Sequence, residues 1–137
     1  GRLGIRENQP LLRALTRDPS MQVRASAVEG LLRLGDISAI SLAMDLARHP
    51  DPSIRAAVAH ALAATSDKQA VAILQTLLQD QQLQPRLFAT KALGTSGALV
   101  TPFLKKCLQD SDVVIRLAAA GSLLQQLRRS TTAPGSR

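Results

Sequence analysis

Apolar and polar positions alternate along this chain with helical spacing, and the pattern repeats. Eight stretches, at about 5–17, 21–34, 37–48, 52–65, 68–79, 83–94, 98–109 and 112–128, place apolar residues at i, i+3 and i+4 and polar ones between, which predicts amphipathic helices. Laid over one another in pairs, the stretches share their rows. In the first member of each pair Leu11, Leu42, Ile73 and Phe103 align, and beside them Leu12, Ala43, Leu74 and Leu104. In the second member Val23, Ala27, Leu31 and Leu34 lead the buried face, with Ala27, Val58, Ala89 and Ala119 in one row and Leu31, Leu62, Leu93 and Leu123 in another. Runs of β-branched and aromatic residues with period-two alternation are missing, so helices are favoured over a β-sandwich.

The turns fit the same reading. Within pairs stand Asp18-Pro19-Ser20 and Pro50-Asp51-Pro52, where proline opens or precedes a helix without breaking it. Between pairs come Gly35-Asp36 and Ser66-Asp67, whose acidic side chains can cap the next helix. Arginine marks the register: Arg24, Arg55, Arg86 and Arg116 stand 31, 31 and 30 residues apart. Six residues before three of them is an aspartate, Asp18, Asp80 or Asp110, and His49 takes that place in the second unit. A fixed period in the range of about 20–50 residues marks a stacked repeat array. The expected units are 5–35, 36–66, 67–97 and 98–128, followed by a flexible tail over 129–137. Arg2-Leu3-Gly4 reads as the tail of a preceding repeat, and the chain as part of a longer array or a larger protein. With the aspartate in the turn and the arginine on the next first turn, each guanidinium can reach acidic groups and turn carbonyls of its own or the adjacent unit.

An acidic residue, then an arginine six later preceded by Val or Ile, then an Ala-rich helix ending in Leu34-Gly35-Asp36, resembles the short HEAT-like repeats often called PBS-lyase HEAT-like repeats. The resemblance covers about residues 5–128 and departs at His49, at Pro85 before Arg86 and at Thr95-Ser96-Gly97. It implies an all-α, right-handed α-α superhelix, a solenoid of about four helical hairpins. It also implies a structural ladder along the stack, with the pairs Asp18/Arg24, Asp80/Arg86 and Asp110/Arg116, and Arg55 alone in the second unit. In such solenoids the second helices line the concave surface. The rows Ser26/Ala57/Phe88/Ala118 and Glu29/His60/Lys91/Gly121 are then expected along a groove.

Composition narrows the chemistry. The apolar share of 45% is almost all aliphatic, with Phe88 and Phe103 the two aromatic residues. The single cysteine, Cys107, aligns with Leu15, Leu46 and Leu77, so it reads as a small buried hydrophobe. Two histidines, two glutamates and one cysteine make no catalytic constellation, no metal-ligand spacing and no cofactor motif. His49 reads as a turn residue. No stretch reaches the roughly 18 apolar residues of a membrane span, and the segment is expected to be soluble and cytoplasmic.

The expected function is a non-catalytic protein–protein interaction or scaffold module, binding an unidentified protein through Glu29, His60, Phe88 and Lys91. Phe88 is either an exposed anchor for that partner or a side chain half-buried against the neighbouring unit. The net charge of +7, with Arg2, Arg6, Arg13, Arg17, Arg24 and Arg33 in the first 33 positions, supports a second reading: attraction of nucleic acid or an acidic surface to the first hairpin. The family name raises a third, a bilin lyase or lyase-like subunit.

Overall fold

A computed structural model describes residues 2–96 and 101–132, with side chains over 7–96 and 101–129. The described residues form eight α-helices and no strand: α1 (Arg2–Leu15), α2 (Met21–Arg33), α3 (Ile40–Leu46), α4 (Pro52–Leu62), α5 (Lys68–Leu77), α6 (Leu83–Thr95), α7 (Thr101–Cys107) and α8 (Val113–Thr132). They pair into four hairpins, α1–α2 to α7–α8, stacked as an α-α solenoid.

Caps explain where the helices start. Ser20 accepts from the Val23 N–H, Asp51 from Ser53 and Asp67 from Gln69, and Pro52 opens α4, so first-turn donors are satisfied. Gly35 ends the first unit at φ +84°. Its N–H donates to Leu32 O and that of Asp36 to Leu31 O, a left-handed cap that glycine adopts without a Cβ penalty.

The first helices end earlier than their apolar pattern predicts. After Leu15, Leu46, Leu77 and Cys107 the chain tightens to i→i+3 bonds, as in Asp80 N–H to Leu77 O and Asp110 N–H to Cys107 O. The first helix of the second unit also begins differently. A 3₁₀ turn over Ile37–Ala39 precedes α3, held by the Asp36 carboxylate on the Ser38 N–H. α1 is continuous from Arg2, through the residues assigned to a preceding repeat, and α8 runs to Thr132, into the expected tail. The start of the helix expected from residue 98 and the tail over 133–137 lie outside the described residues.

Side-chain size sets the packing. α2, α4, α6 and α8 lie directly against one another in a row, and α3, α5 and α7 each pack against the second helices on both sides of them. Ala25, Ala27, Ala56, Ala59, Ala89, Ala92 and Ala119 are buried in that row, and short side chains let backbones approach. A tight approach lies at Gly94, where a Cβ would stand 2.2 Å from the Ser122 Oγ. Leu31, Leu62 and Leu93 fill the space behind, as do Ala43, Leu74 and Leu104 from the first helices. Each fully buried leucine contributes about 1.5–3 kcal/mol. Of the outer aligned row, Ile73 is buried, but Leu11 is exposed because no helix covers it. Cys107 is buried, with the Thr90 Oγ1 at 3.7 Å from its sulfur, and burial pushes its thiol pKa up.

Between successive first helices the packing leaves clefts. One of about 410 Å³ lies beside Arg13, Asp36 and Leu42, one of about 320 Å³ beside Met44, Ala72 and Ile73, and one of about 340 Å³ beside Gln75, Phe103 and Lys106.

Candidate functional site

Each repeated arginine first serves its own turn. The Nη1 of Arg55 donates to His49 O and Pro50 O (2.8 and 2.9 Å), that of Arg86 to Asp80 O and Gln81 O (3.0 and 3.1 Å), and that of Arg116 to Asp110 O and Ser111 O (2.8 and 3.2 Å). The remaining nitrogens reach forward. Arg55 Nε and Nη2 donate to Asp80 Oδ2 and Oδ1 at 2.7 and 3.0 Å, and Arg86 does the same to Asp110 at 3.2 and 3.4 Å. The ion pairs therefore join successive units, unlike the same-unit pairs Asp18/Arg24, Asp80/Arg86 and Asp110/Arg116. Within a unit the contact is to the aspartate's backbone carbonyl. The Arg55 hydrogen bonds hold the Asp80 carboxyl below the usual range, helped by the Gln82 N–H, and Asp80 in turn raises Arg55.

The second unit breaks this series. His49 Nδ1 accepts the Asp51 N–H at 3.0 Å, as Asp80 Oδ1 accepts that of Gln82 at 2.9 Å. The imidazole replaces the aspartate's turn bond but offers Arg24 no negative charge. Arg24 turns its Nε onto Asp18 O instead, at 2.6 Å. Between these two units Asp36 accepts from Gln9 Nε2 (3.1 Å) and Arg13 Nη2 (2.7 Å). The Ser38 hydroxyl and N–H, together with those donors, hold its carboxyl pKa down.

Across α2, α4 and α6 runs a groove of about 430 Å³. Ser26, Ala57 and Phe88 line it, as do Glu29 and His60. The groove also has a third row, which the sequence reading missed: Gln22, Ser53 and Gln84. These residues stand two before each arginine, one helical turn ahead of the Ser26/Ala57/Phe88 row, so the spacing carried the signal. Lys91 on α6 and Ala118 and Gly121 on α8 continue the two expected rows but do not line this groove.

The polar and aromatic groups of the face touch in sequence from unit to unit. Arg33, a further residue missed by the sequence reading although it lies four after Glu29, donates from Nη2 and Nε to Glu29 Oε1 at 2.8 and 3.2 Å. Glu29 Oε2 lies 3.8 Å from His60 Nε2. The His60 and Phe88 rings meet edge to face with centroids 6.0 Å apart, and the Lys91 ammonium is 6.0 Å from the Phe88 ring centre. Phe88 is half-buried against the core, with its ring between an imidazole and a cation, an arrangement that its quadrupole favours.

Among the described residues no group of three or more His, Cys, Asp or Glu side chains gathers to hold a metal, and Cys107 is free and buried. No described helix is long and apolar enough to cross a membrane. The basic residues of the first hairpin are partly engaged: Arg13 with Asp36, Arg33 with Glu29 and Arg24 with its own turn.

Residues 8–94 match the family model for HEAT repeats. No curated protein gives a match.

Proposed function

Because the chain belongs to the HEAT-repeat family, we propose that this helical module, which lacks catalytic motifs, is a protein–protein interaction scaffold that docks its partner along α2, α4 and α6. The observation that carries this reading is the contact series Arg33–Glu29–His60–Phe88–Lys91, which crosses three units beside a groove lined by small and polar residues. A constant scaffold with a chemically varied row suits recognition, since a few anchors supply most of a binding energy. The packing adds support. The second helices touch directly while clefts separate the first helices, which supports reading the second-helix layer as the shorter, inner side of a curve and its face as the concave one.

The test is affinity capture from a lysate of the source organism on the immobilised chain, with nuclease treatment and washes at low and physiological salt. Phe88→Ala and Lys91→Glu are run beside the parent. Both variants should keep their helicity by circular dichroism and lose about tenfold or more of the retained protein, the scale of one or two anchor residues. Equal retention by both variants sinks the groove assignment. Retention of nucleic acid that salt abolishes would instead favour the basic first hairpin.

A further inference from the structure

The charged side chains of this fold are sorted by position. Asp18, Asp51, Asp67, Asp80, Asp110 and Asp112 each accept a backbone N–H in a turn or helix cap. Carboxylates are thereby drawn to the helix ends, and the second helices are left almost without them. α2, α4, α6 and α8 carry between them one acidic residue, Glu29, which Arg33 holds at 2.8 Å. Their arginines are largely committed too, with Arg24, Arg55, Arg86 and Arg116 clamping turn carbonyls. Lys91 is different. Its ammonium stands over the Phe88 ring, and among the described residues it has no carboxylate partner. The groove face therefore has uncompensated positive charge at Lys91.

The rest of the groove suits a polypeptide main chain. Gln22, Ser53 and Gln84 line it from the same place in three successive second helices, each the second residue of its helix. The Ser53 hydroxyl is taken by Asp51 at 2.8 Å. Gln22 and Gln84 are exposed, and among the described residues no hydrogen bond holds either side-chain amide. A primary amide offers both a donor and an acceptor, the complement of a peptide group. Between them Ala25, Ser26, Ala56 and Ala57 line the groove with short side chains, so a backbone can come near.

We propose, resting on the docking reading above, that the groove takes an extended acidic protein segment, whose main chain lies along Gln22 and Gln84 and whose carboxylate reaches Lys91. Charge complementarity is the argument for this occupant. A nucleic-acid strand fits less well. Its regularly spaced phosphates call for several cations, whereas the described face offers the one ammonium, and Phe88 is the single phenyl ring in the groove on which a base could stack.

Panning phage-displayed random dodecapeptides over the immobilised 137-residue chain tests this, with the enriched peptides then titrated by fluorescence anisotropy. They should carry an excess of Asp and Glu. Lys91→Glu, at an exposed position, should weaken them by about tenfold or more, while Lys91→Arg keeps them within a few-fold of the parent. Exchanging the peptides' carboxylates for lysines should restore binding to Lys91→Glu. Gln22→Ala and Gln84→Ala should each lower affinity a few-fold, whatever the peptide's charge. Enriched peptides that are neutral or basic but lose affinity with Phe88→Ala overturn the acidic segment and leave the docking reading standing. No enrichment over a blank surface also overturns the segment, whereas the docking reading, which admits a folded partner, stands. Peptides that Phe88→Ala and both glutamine variants leave unchanged overturn the two together. A mixed-sequence single-stranded oligonucleotide bound more tightly than the peptides, and released by Lys91→Glu, overturns the inference and gives the face to nucleic acid.

Discussion

One guanidinium closing its own turn and gripping the next unit is the smallest unit of order in this molecule. Arg55 and Asp80 do this with both side chains mostly shielded from solvent, so removing one leaves the other with an unmet charge. Arg55→Ala should therefore lower unfolding stability by about 2–4 kcal/mol in urea titration, and a loss below about 0.5 kcal/mol, the scale of an exposed pair, would refute the role. The acid limb follows from the same contact. Asp80 has a folded-state pKa below its ordinary 3.8, so its contribution is full above that value and is lost as pH falls through the folded one. Urea midpoints of the parent should drop more steeply below about pH 4 than those of Asp80→Asn. The period of the arginines and aspartates was legible in the chain, but the direction of the pairing was not. An arginine side chain spans both the turn behind it and the unit ahead, and a six-residue offset looks the same in either case. His49 was legible as a turn residue, but its Nδ1 bond depends on a ring orientation that no spacing encodes.

Among the elements, α6 and α8 meet through a tight contact at Gly94, and two glycines on them make opposite predictions. Gly94→Ala places a methyl into Ser122, and despite alanine's helix preference it should cost about 1–3 kcal/mol. Changing Ser122 to glycine as well should recover much of that loss. Gly121 has nothing within 4 Å of a built Cβ, so Gly121→Ala should stabilise by up to about 1 kcal/mol. Thermal melts of the three variants decide it, and equal effects at the two glycines would contradict the packing. The helices themselves were readable because aliphatic rows at i, i+3 and i+4 admit no other period. Their ends were less so: residues such as Ala47 and Leu78 continue the apolar pattern, yet the N–H groups that follow them, of Arg48 and Gln79, already bond only three residues back, to Asp45 O and Thr76 O. The groove's third row of Gln22, Ser53 and Gln84 escaped notice because polar residues ahead of an arginine look like ordinary solvated surface.

For the whole molecule, the missing rung at His49 divides the ladder. Units two to four are joined by two shielded ion pairs. Units one and two rely on packing, on the Gln9–Asp36 hydrogen bond, on the Glu29–His60 contact and on the Arg13–Asp36 bridge, whose arginine is mostly in solvent and which contributes little. In a linear array with nearest-neighbour coupling, the first hairpin should open at lower free energy than the rest. Native-state hydrogen exchange should show α2 amides less protected than those of α4 and α6, with His49→Asp narrowing the difference. Uniform protection, or no response to His49→Asp, would count against it. The solenoid as a whole was evident from four in-register phrases, because a stacked array needs only local repetition to specify it. The proposed partner was not, since under that proposal recognition would rest on the few positions that break the repetition.

The uneven packing of the two layers also has a mechanical meaning. Direct contact and ion pairs along the second-helix row make that row stiff in tension, while the clefts between α3 and α5 and between α5 and α7 leave the other side compliant. The neutral surface of bending then lies within the second-helix layer. When the array flexes, the outer clefts should widen or narrow while the spacing of Glu29, His60 and Phe88 is nearly preserved, so curvature can change without blurring the pattern along the second helices.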